Sequence, residues 1–512
     1  MSAIQHERQK DMRSLAVLLE MRPALDGHAG IPQETRLLFR ALRTIEGVNA
    51  EGLIQSSGCL LSTGLPTKNA ALSIDKQVNR LSKTVISIQQ NIGSPFFAAY
   101  LMVLKHLLGG SQSLSKFDAT HFQDFIWRAL FAKTLPYADF ATVTRANFRI
   151  ARVPWTAMHR AALITKLLGH AIYPRLDTSD FDLMIAETPY PARVSSNTTL
   201  VIRYHDAIPI LMPHTISDKP YHQASHYNAL KCNVENGAHF ACVSEASLRD
   251  LIAIFPEVES RAVTIPNMVS HHYFLENSSA DRIPEIIRTR RNTLVDIKNT
   301  RSIDGVGKNA NPDGGIDYLL IVSTIEPRKN HGTLLAAWET LRASGHPNLK
   351  LVVVGMLGWD HKAIVQKFKP WLERGQLLML EDVPSPELRM LYRHARATIC
   401  PSFGEGFDFS GVEAMRCGGA VVASDIAVHR EVYVDAAEFF SPYDIEDAAA
   451  AIGRVISKNN VEDNITNDRP DNERRAALIV RGAEVSRQYA PEKIIPLWET
   501  YLKGLRKPPR AG

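Results

Sequence analysis

Cysteine is scarce in this 512-residue chain, and its five copies are scattered. No CxxC pair occurs, and no Cys/His cluster has the spacing of a zinc site. An odd number of dispersed thiols favours a reducing compartment over a disulfide framework. The composition therefore excludes a disulfide-rich secreted domain and a zinc finger. The cysteines are Cys59, Cys232, Cys242, Cys400 and Cys417.

Long apolar runs are also missing. No run of about 18 uncharged apolar residues occurs, which is the length that a membrane-spanning helix needs. The first residues, MSAIQHERQKDMRS, are polar and of mixed charge, so they lack the apolar centre of a signal peptide. The net charge of +5 is too small to indicate a nucleic-acid partner. We therefore expect a cytoplasmic protein that does not bind nucleic acid.

Short apolar segments alternate with helical patterns in both halves of the chain, which is too long for a single core. Such alternation is typical of parallel sheets that are buried on both faces. The pattern predicts an α/β fold with two doubly wound, Rossmann-like domains. The predicted strands are 14–21, 182–188, 198–206, 239–245, 262–267, 317–324, 349–355, 376–383, 397–402 and 420–425. The predicted helices are 33–46, 225–237, 246–255, 331–343, 386–395, 410–417, 474–488 and 491–505.

A polar stretch rich in Asn, Gly, Pro and Asp separates the two blocks, and it is typical of an interdomain linker. One part of it, IPEIIRTRRNTLVDI, has the pattern of a helix. Since ligands of doubly wound sheets gather beyond the carboxyl ends of the strands, we expect the site in the cleft between the domains. The predicted divisions are an N-terminal domain 1–275, a linker 276–316, a C-terminal domain 317–490 with a surface loop at 459–473, and a returning helix 491–512.

Two cations follow the first strand of the second half. Arg328 and Lys329 precede the start of a helix near Asn330 or His331. A helix N-terminus favours anions, and arginine binds phosphate through two hydrogen bonds, so this turn predicts a pyrophosphate site. The spacing alone equally fits two solvated surface cations.

The stretch SFGEGFDFSGVEAMRC places two carboxylates eight positions apart. Gly404 and Gly406 allow the backbone to approach a ligand closely, and Ser410 is expected to cap the helix that carries the second carboxylate. Glu405 and Glu413 could therefore accept hydrogen bonds from two separate polyols. The plainer interpretation of Glu413 is a glutamate that the helix dipole favours in a first turn.

The N-terminal half has two weaker signals at strand ends. His205 and Asp206 end a predicted strand, and the histidine is either a catalytic group or a core residue hydrogen-bonded to Asp206. Gly27 and Gly30 form a loop at the first strand-to-helix turn. A glycine pair at this turn indicates a ligand site only in the context of a doubly wound domain.

Taken together, these segments resemble the family-4 retaining glycosyltransferases of GT-B architecture, also described as glycosyl transferases group 1. The resemblance is dense over 198–270 and 317–455 and thin over 50–180. The Glu-x7-Glu pair in front of EAMRCGGAVVAS is its most specific part. The segments that carry it are STIEPRKN, PSFGEGFDFSGVEAMRCGGAVVASD, HREV with Glu431, IPN at 265–267 and CVSEAS at 242–247.

The resemblance implies roles for individual residues. Arg328 and Lys329 match the pair that binds the diphosphate of the donor, Glu405 the residue that holds donor-sugar hydroxyls, and Glu413 the one that holds the ribose. Gly30 matches the loop glycine near the diphosphate and acceptor, and His205 the histidine at the reaction centre. The expected catalytic residues are His205, Arg328, Lys329 and Glu405. The expected donor-binding residues are Gly30, Arg328, Lys329, Glu405, Gly406, Phe407, Asp408, Phe409, Ser410 and Glu413.

This loop departs from the family. The family commonly has EGFGLP where this chain has EGFDFSG, so Asp408 replaces a glycine, and Ser410 and Gly411 replace a proline and its neighbour. A carboxylate among amides that face a diphosphate would repel it. Asp408 therefore either contacts donor hydroxyls or faces solvent, and the sequence leaves both open.

The resemblance implies transfer of a hexose, with mannose as the analogous case, from a GDP- or UDP-sugar. Stabilising the departing diphosphate is the main chemical task, and oriented cations and amides perform it. No Asp-x-Asp metal motif stands at a strand end, so we expect no metal and no further cofactor. We expect front-face displacement with retention, in which the departing phosphate deprotonates the acceptor and Glu405 binds rather than attacks.

The acceptor is expected to be a polysaccharide or a lipid-linked glycan that the first domain recognises. No acidic residue occurs between Asp139 and Asp177, whereas six Arg and Lys residues do, and 94–110 is apolar for a surface helix. Such a surface suits peripheral contact with the anionic inner face of a membrane. The alternative is a buried helix with a solvated basic face.

Three other functions compete with the transferase. A non-catalytic subunit that binds a sugar nucleotide is suggested by Asp408. An epimerase of the same architecture would release a free sugar without an acceptor. A dinucleotide oxidoreductase is disfavoured because no GxGxxG turn follows the first strand.

Overall fold

The computed structural model describes most of the chain. The described residues are 14–25, 27, 30–66, 72–90, 95–167, 169–291, 316–457 and 472–506. Part of the predicted linker, at 292–315, and nearly all of the predicted surface loop 459–473 lie outside these residues.

The N-terminal half forms a sheet of eight strands in the order β10-β9-β8-β7-β1-β2-β5-β4 among the described residues. All neighbours are parallel except β4, which runs antiparallel to β5 at the edge. A separate two-stranded pair joins β3 and β6. The strands are β1 Leu15–Glu20, β2 Val48–Gln55, β3 Gln112–Ser113, β4 Ser115–Phe117, β5 Phe148–Ala151, β6 Leu176–Asp177, β7 Leu183–Ala186, β8 Thr199–Tyr204, β9 His239–Cys242 and β10 Ala262–Thr264.

The C-terminal half forms a second sheet, in the order β13-β12-β11-β14-β15-β16, and every pair in it is parallel. Its strands are short, apolar and buried on both faces, as a parallel sheet between helical layers requires. The strands are β11 Tyr318–Val322, β12 Lys350–Val354, β13 Leu377–Leu380, β14 Ala397–Cys400, β15 Val421–Ser424 and β16 Ala437–Phe440.

Helices cover both faces of each sheet, and apolar clusters fill the space between the layers. The helices of the N-terminal half are α1 Ile31–Leu42, α2 Ile74–Gln89, α3 Pro95–Leu107, α4 Gln123–Ile126, α5 Phe140–Thr144, α6 Trp155–Lys166, α7 Ile208–Leu211, α8 Lys219–Glu235 and α9 Glu245–Ile254. Those that follow are α10 Ile283–Arg290, α11 His331–Ala343, α12 Lys362–Glu373, α13 Ser385–His394, α14 Phe409–Arg416, α15 Ala427–Tyr433, α16 Ile445–Ile456, α17 Glu473–Val485 and α18 Pro491–Gly504.

The predicted fold class is confirmed, and each predicted strand and helix has its counterpart. The sequence patterns missed six of the described strands, namely β2, β3, β4, β5, β6 and β16. The reason is visible in β2, whose sequence VNAEGLIQ carries Asn, Glu and Gly among its apolar residues. The strand forms despite these residues because β2 lies between β1 and β5, and its backbone is hydrogen-bonded on both sides. The domain limits stay a prediction.

The C-terminal helix α18 crosses back to the N-terminal half. Ile494, Trp498 and Leu502 are buried in the same apolar cluster as α1 and β1. The guanidinium of Arg203 on β8 lies over the Trp498 ring, 5.2 Å from its centroid. Burial of a tryptophan contributes more apolar area than almost any other side chain, so α18 ties the two halves together.

The two halves also meet through the loop that follows β14. A Cβ added to Gly406 would overlap the backbone carbonyl oxygen of His205, and one added to Gly404 would stand 2.7 Å from the sulfur of Met212. On α15, the Glu431 carboxylate accepts hydrogen bonds from the backbone N–H groups of Glu245 and Ala246, at 2.7 and 2.9 Å. These groups begin α9, so a negative charge of one half caps a helix of the other.

We predict that Gly406→Ala separates the two halves at this loop without unfolding either one. The added methyl group would meet backbone, which cannot rotate away. Hydrogen exchange should therefore rise in residues 205–212 and in the 403–408 loop. Gly332→Ala on α11 is the control, since nothing lies within 4 Å of its Cβ position. Equal exchange in the wild type and Gly406→Ala would contradict the close contact.

The candidate donor cleft

The turn between β11 and α11 holds the two predicted cations. Pro327–Lys329 forms a single 3-10 turn, and Asn330 follows in the left-handed region at φ 53°. The side chain of Asn330 donates to the backbone oxygens of Pro401 and Pro442, at 3.0 and 2.8 Å. The bond to Pro401 fixes the turn against the loop after β14, which carries Glu405, and the bond to Pro442 fixes it against the segment after β16.

Arg328, Lys329 and Glu405 form one ion cluster. The Arg328 Nη1 lies 2.6 Å from Glu405 Oε2, and the Lys329 Nζ lies 2.5 Å from Glu405 Oε1. Glu326 binds the other side of the guanidinium, with its Oε1 2.9 Å from Arg328 Nη2. The structure therefore brings together three of the four predicted catalytic residues, and it adds Glu326, which the sequence analysis missed although it stands two positions before Arg328.

Charge and burial oppose each other in this cluster. Burial by itself would raise the pKa of Glu405, but the charges of Arg328 and Lys329 hold it below its ordinary value. Burial raises the pKa of Glu326 despite the charge of Arg328. Glu405 is therefore an ionised acceptor that two cations hold in place, and it stands where the cations could also bind a phosphate.

After Glu405, the loop packs through the backbone at Gly406 and through the side chain at Phe407. Phe407 is buried, and its ring packs 5.2 Å from the centroid of Phe409 and 5.1 Å from that of Tyr489. Gly406 lies against the backbone of His205, as described above. The side chain of Phe407 thus anchors the loop from behind, while its predicted contact with a donor stays a prediction.

Asp408 does not face solvent, so that expectation is wrong. Its side chain is only 6% exposed, and its Oδ2 lies 3.2 Å from Nε2 of the buried His429 on α15. Its Oδ1 accepts hydrogen bonds from the backbone N–H and the hydroxyl of Ser410, at 3.2 and 2.6 Å. Asp408 therefore caps α14, and the expected cap, Ser410, is instead one of the donors to it.

The environment of Asp408 explains how a carboxylate replaces a glycine here. The residue adopts φ 66°, a left-handed conformation that glycine adopts without cost and that aspartate tolerates better than most residues. Burial raises its pKa, but hydrogen bonds from His429 and Ser410 and the charge of Lys329 hold it well below the ordinary value. The negative charge is thus bound within the domain.

Glu413 lies in the helix one turn further on and is buried. Its Oε1 accepts from the side-chain amide of Gln33 at 3.0 Å, and its Oε2 from the Tyr392 hydroxyl at 3.1 Å. Burial raises its pKa to about 7, although both hydrogen bonds act in the opposite direction. Gln33 belongs to the first turn of α1, so Glu413 forms a direct hydrogen bond across the cleft.

The N-terminal half brings Gly30 and His205 to the same cleft. Gly30 adopts φ 68° directly before α1, and that helix begins opposite Glu413. The Nε2 of His205 lies 3.4 Å from Oε2 of Glu187, whereas Asp206 accepts from the backbone N–H of Ile208 at 3.0 Å. The alternative in which Asp206 binds His205 is therefore wrong, and the partner is Glu187.

Three buried carboxylates lie beneath His205, and the sequence patterns missed all of them. Glu34 binds Arg203 at 2.9 Å, and the Oε2 of Glu20 accepts from the backbone N–H of Glu187 at 3.0 Å. Burial raises the pKa of Glu187 to about 8, and burial together with the charge of Arg203 lowers that of His205 to about 4. Near pH 7 the pair is therefore a neutral acid beside a neutral imidazole, which keeps the cleft floor free of unpaired charge.

Metal ligands are not grouped in the part of the chain that the structure describes. Within it, no set of three or more His, Cys, Asp or Glu side chains is arranged to hold an ion. The expected metal independence stays a prediction.

Known proteins resemble the part of the chain that forms this cleft. Residues 308–471 match the family Glycosyl transferases group 1, a segment that includes Arg328, Glu405 and Glu413. The O-antigen chain mannosyltransferase B of Escherichia coli is 36% identical over 135 residues, which are 26% of this chain and 35% of that protein. The O-antigen chain mannosyltransferase RfbU of Salmonella typhimurium is 24% identical over 274 residues, which are 53% of this chain and 64% of that protein. This chain thus spans less than two thirds of these relatives.

Solved structures resemble the whole chain. Sucrose-phosphate synthase of Thermosynechococcus elongatus has a TM-score of 0.57 at 14% identity and covers 96% of this chain and 99% of its own. HepE of Anabaena in complex with UDP has a TM-score of 0.53 at 14% identity and covers 96% of this chain and 100% of its own. At such identity the likeness establishes the fold. Residues 308–471 thus match the family Glycosyl transferases group 1, and the chain as a whole has the two-domain GT-B fold.

Proposed function

We propose that this protein is a retaining, metal-independent hexosyltransferase of family 4. It moves a hexose, with mannose as the first candidate, from a GDP- or UDP-sugar to a polysaccharide or lipid-linked glycan. Two similar proteins are O-antigen mannosyltransferases, which supports mannose and a glycan acceptor. Nucleotide-sugar donors are common to the family, and one structural neighbour holds UDP.

The ion cluster of Arg328, Lys329 and Glu405 carries the proposal. It lies at the carboxyl ends of parallel strands, where doubly wound domains bind nucleotides. It also lies next to the N-terminal half, because Gly406 in the same loop packs on His205. A phosphate bound by the two cations would thus reach the boundary between the domains, where an acceptor approaches.

The proposed mechanism follows from these charges. Cleavage of the glycosyl–phosphate bond leaves new negative charge on the diphosphate, and the fixed cations Arg328 and Lys329 stabilise it without reorganisation. The departing phosphate oxygen takes the proton of the acceptor hydroxyl as that hydroxyl attacks the same face of the sugar. Glu405 accepts hydrogen bonds from sugar hydroxyls, His205 contacts the sugar from the other domain, and Glu413 exchanges Gln33 for a ribose hydroxyl.

The hypothesis of a non-catalytic subunit loses the support that Asp408 gave it. The concern was an extra carboxylate facing the diphosphate, but its two oxygens are bound by His429 and Ser410. Its charge is therefore bound by partners within the C-terminal half.

The proposed reaction is tested first by product analysis. Purified full-length protein is incubated with GDP-mannose, or with UDP-hexoses, and with lipid-linked glycan acceptors, in the presence of a chelator. We expect a new glycosidic bond whose anomeric configuration, measured by NMR, equals that of the donor. An inverted product would contradict retention, and release of a free sugar without an acceptor would favour the epimerase.

The cation cluster predicts opposite effects for two substitutions. Lys329→Met removes one phosphate partner, and since a hydrogen bond to a charged group contributes about 1.5–3 kcal/mol, GDP or UDP should bind about tenfold or more weakly. Glu405→Gln removes the anion that competes with the phosphate, so the nucleotide diphosphate should bind more tightly while sugar transfer falls. Isothermal titration calorimetry measures both affinities.

The control for these variants is Lys367→Met, an exposed lysine on α12 of the same half. Its nucleotide affinity should equal that of the wild type. If Lys329→Met kept wild-type affinity, or Glu405→Gln bound the nucleotide more weakly, the cluster would not be the diphosphate site.

Glu413 predicts a pH dependence of stability. As the pH rises from about 4.5 towards 7, the unfolded chain ionises this carboxyl and the folded protein does not, because burial raises its folded pKa to about 7. The wild type should therefore lose up to about 3 kcal/mol relative to Glu413→Gln over this range. Thermal melting of both proteins at about pH 5 and about pH 8 measures the difference. A constant difference in melting temperature would contradict the raised pKa.

A further inference from the structure

An apolar stripe stands exposed on α3 and the turn after it. The exposed fractions are 63% for Phe97, 67% for Tyr100, 46% for Leu104 and 80% for Leu108. The spacing of three, four and four residues puts these side chains on one face of the helix. The opposite face, with Ala99 and Met102, is buried in the N-terminal core. Monomeric soluble proteins seldom expose such a contiguous stripe without a partner.

The neighbouring helix extends the stripe. α3 packs against α6, and Ile164 and Leu167 at the end of α6 are 49% and 88% exposed. Since the two helices are in contact, their exposed apolar groups belong to one region of the surface, here called the α3–α6 surface.

The sequence intervals that contain these two helices carry basic residues and no acidic ones. No acidic residue occurs between Asp75 and Asp118 or between Asp139 and Asp177, and these two intervals contain α3 and α6. Lys105 on α3 and Lys166 at the end of α6 are exposed. Arg149 does not contribute, because its guanidinium is buried in ion pairs with Glu51 and Asp180.

The α3–α6 surface is connected to the cleft. The guanidinium of Arg22, which follows β1, lies 4.3 Å from the centroid of the Trp155 ring. Trp155 is the first residue of α6, and Arg22 is also paired with Glu20 beneath His205 at 2.7 Å. The first turn of α6 therefore contacts the residues under the cleft, and its last turn carries the exposed apolar groups.

We infer that the α3–α6 surface docks on an anionic lipid bilayer, with Phe97, Tyr100, Leu104 and Leu108 in the interfacial layer. An apolar stripe with exposed lysines, on helices whose sequence intervals contain no acidic residue, matches a surface of negative headgroups over hydrocarbon. A second copy of the chain would bring the same positive charges together, which disfavours a dimer through this face. Among the described residues no helix is long and apolar enough to span a bilayer, so the contact lies at the surface. This inference goes beyond the proposed transfer reaction and does not depend on its donor.

The test is co-sedimentation of the full-length protein with vesicles. One set is pure phosphatidylcholine, and in the other about a third of the lipid is phosphatidylglycerol. We expect at least tenfold stronger partition to the anionic vesicles, weakened by high salt. The double variant Phe97→Ser with Leu104→Ser should lose this partition at least tenfold, whereas Phe97→Leu with Leu104→Phe should keep it.

The matched control is Val480→Ser with Leu497→Ser, two exposed apolar residues on α17 and α18, which should bind vesicles like the wild type. Nucleotide affinity should be unchanged in every variant, which separates a failure of this inference from a failure of the proposed reaction. Absence of the wild type from both pellets would overturn the inference, as would sedimentation of the polar variant. A dimer in light scattering that the polar variant converts to a monomer would assign the surface to a second copy instead.

Discussion

The ion cluster of Arg328, Lys329 and Glu405 is the constraint on which the rest of the cleft depends. Two cations beside a helix N-terminus repel each other and need an anion, and Glu405 supplies it at 2.6 and 2.5 Å. To do so, the loop after β14 must lie against the turn after β11, which the side chain of Asn330 secures. The same loop then meets His205 through Gly406, so charge compensation within one domain also determines where the two domains touch.

Two of the contacts between the halves are made by carboxylates. Glu413 binds Gln33, and Glu431 caps α9 of the other half. Each is a carboxylate from the C-terminal half that accepts from an N–H group of the N-terminal half. A nucleotide sugar offers hydroxyl donors of the same kind, so it can replace such contacts without leaving a buried acceptor unpaired.

Several buried carboxyl groups near the cleft are either paired or protonated. Asp408 is bound by His429 and Ser410 and caps a helix. Beneath His205, Glu34 is paired with Arg203, while the raised pKa of Glu187 keeps it protonated near pH 7. The positive charges of Lys105 and Lys166 differ, because these side chains are exposed on the α3–α6 surface. The bilayer contact proposed above relies on such exposed cations.

The sequence by itself determined the fold class and the strand-end positions of three residues of the ion cluster. Continuous apolar strands alternating with helices have few architectures open to them, and Arg328, Lys329 and Glu405 stand in loops whose positions follow directly from strand ends. Only the tertiary structure decided the partners of Asp408, Glu413 and His205. Those partners, His429, Gln33 and Glu187, come from elements 21, 380 and 18 positions away. Periodicity reports which face of an element is apolar, but it carries no information on which buried polar groups meet, because that depends on how separate elements pack.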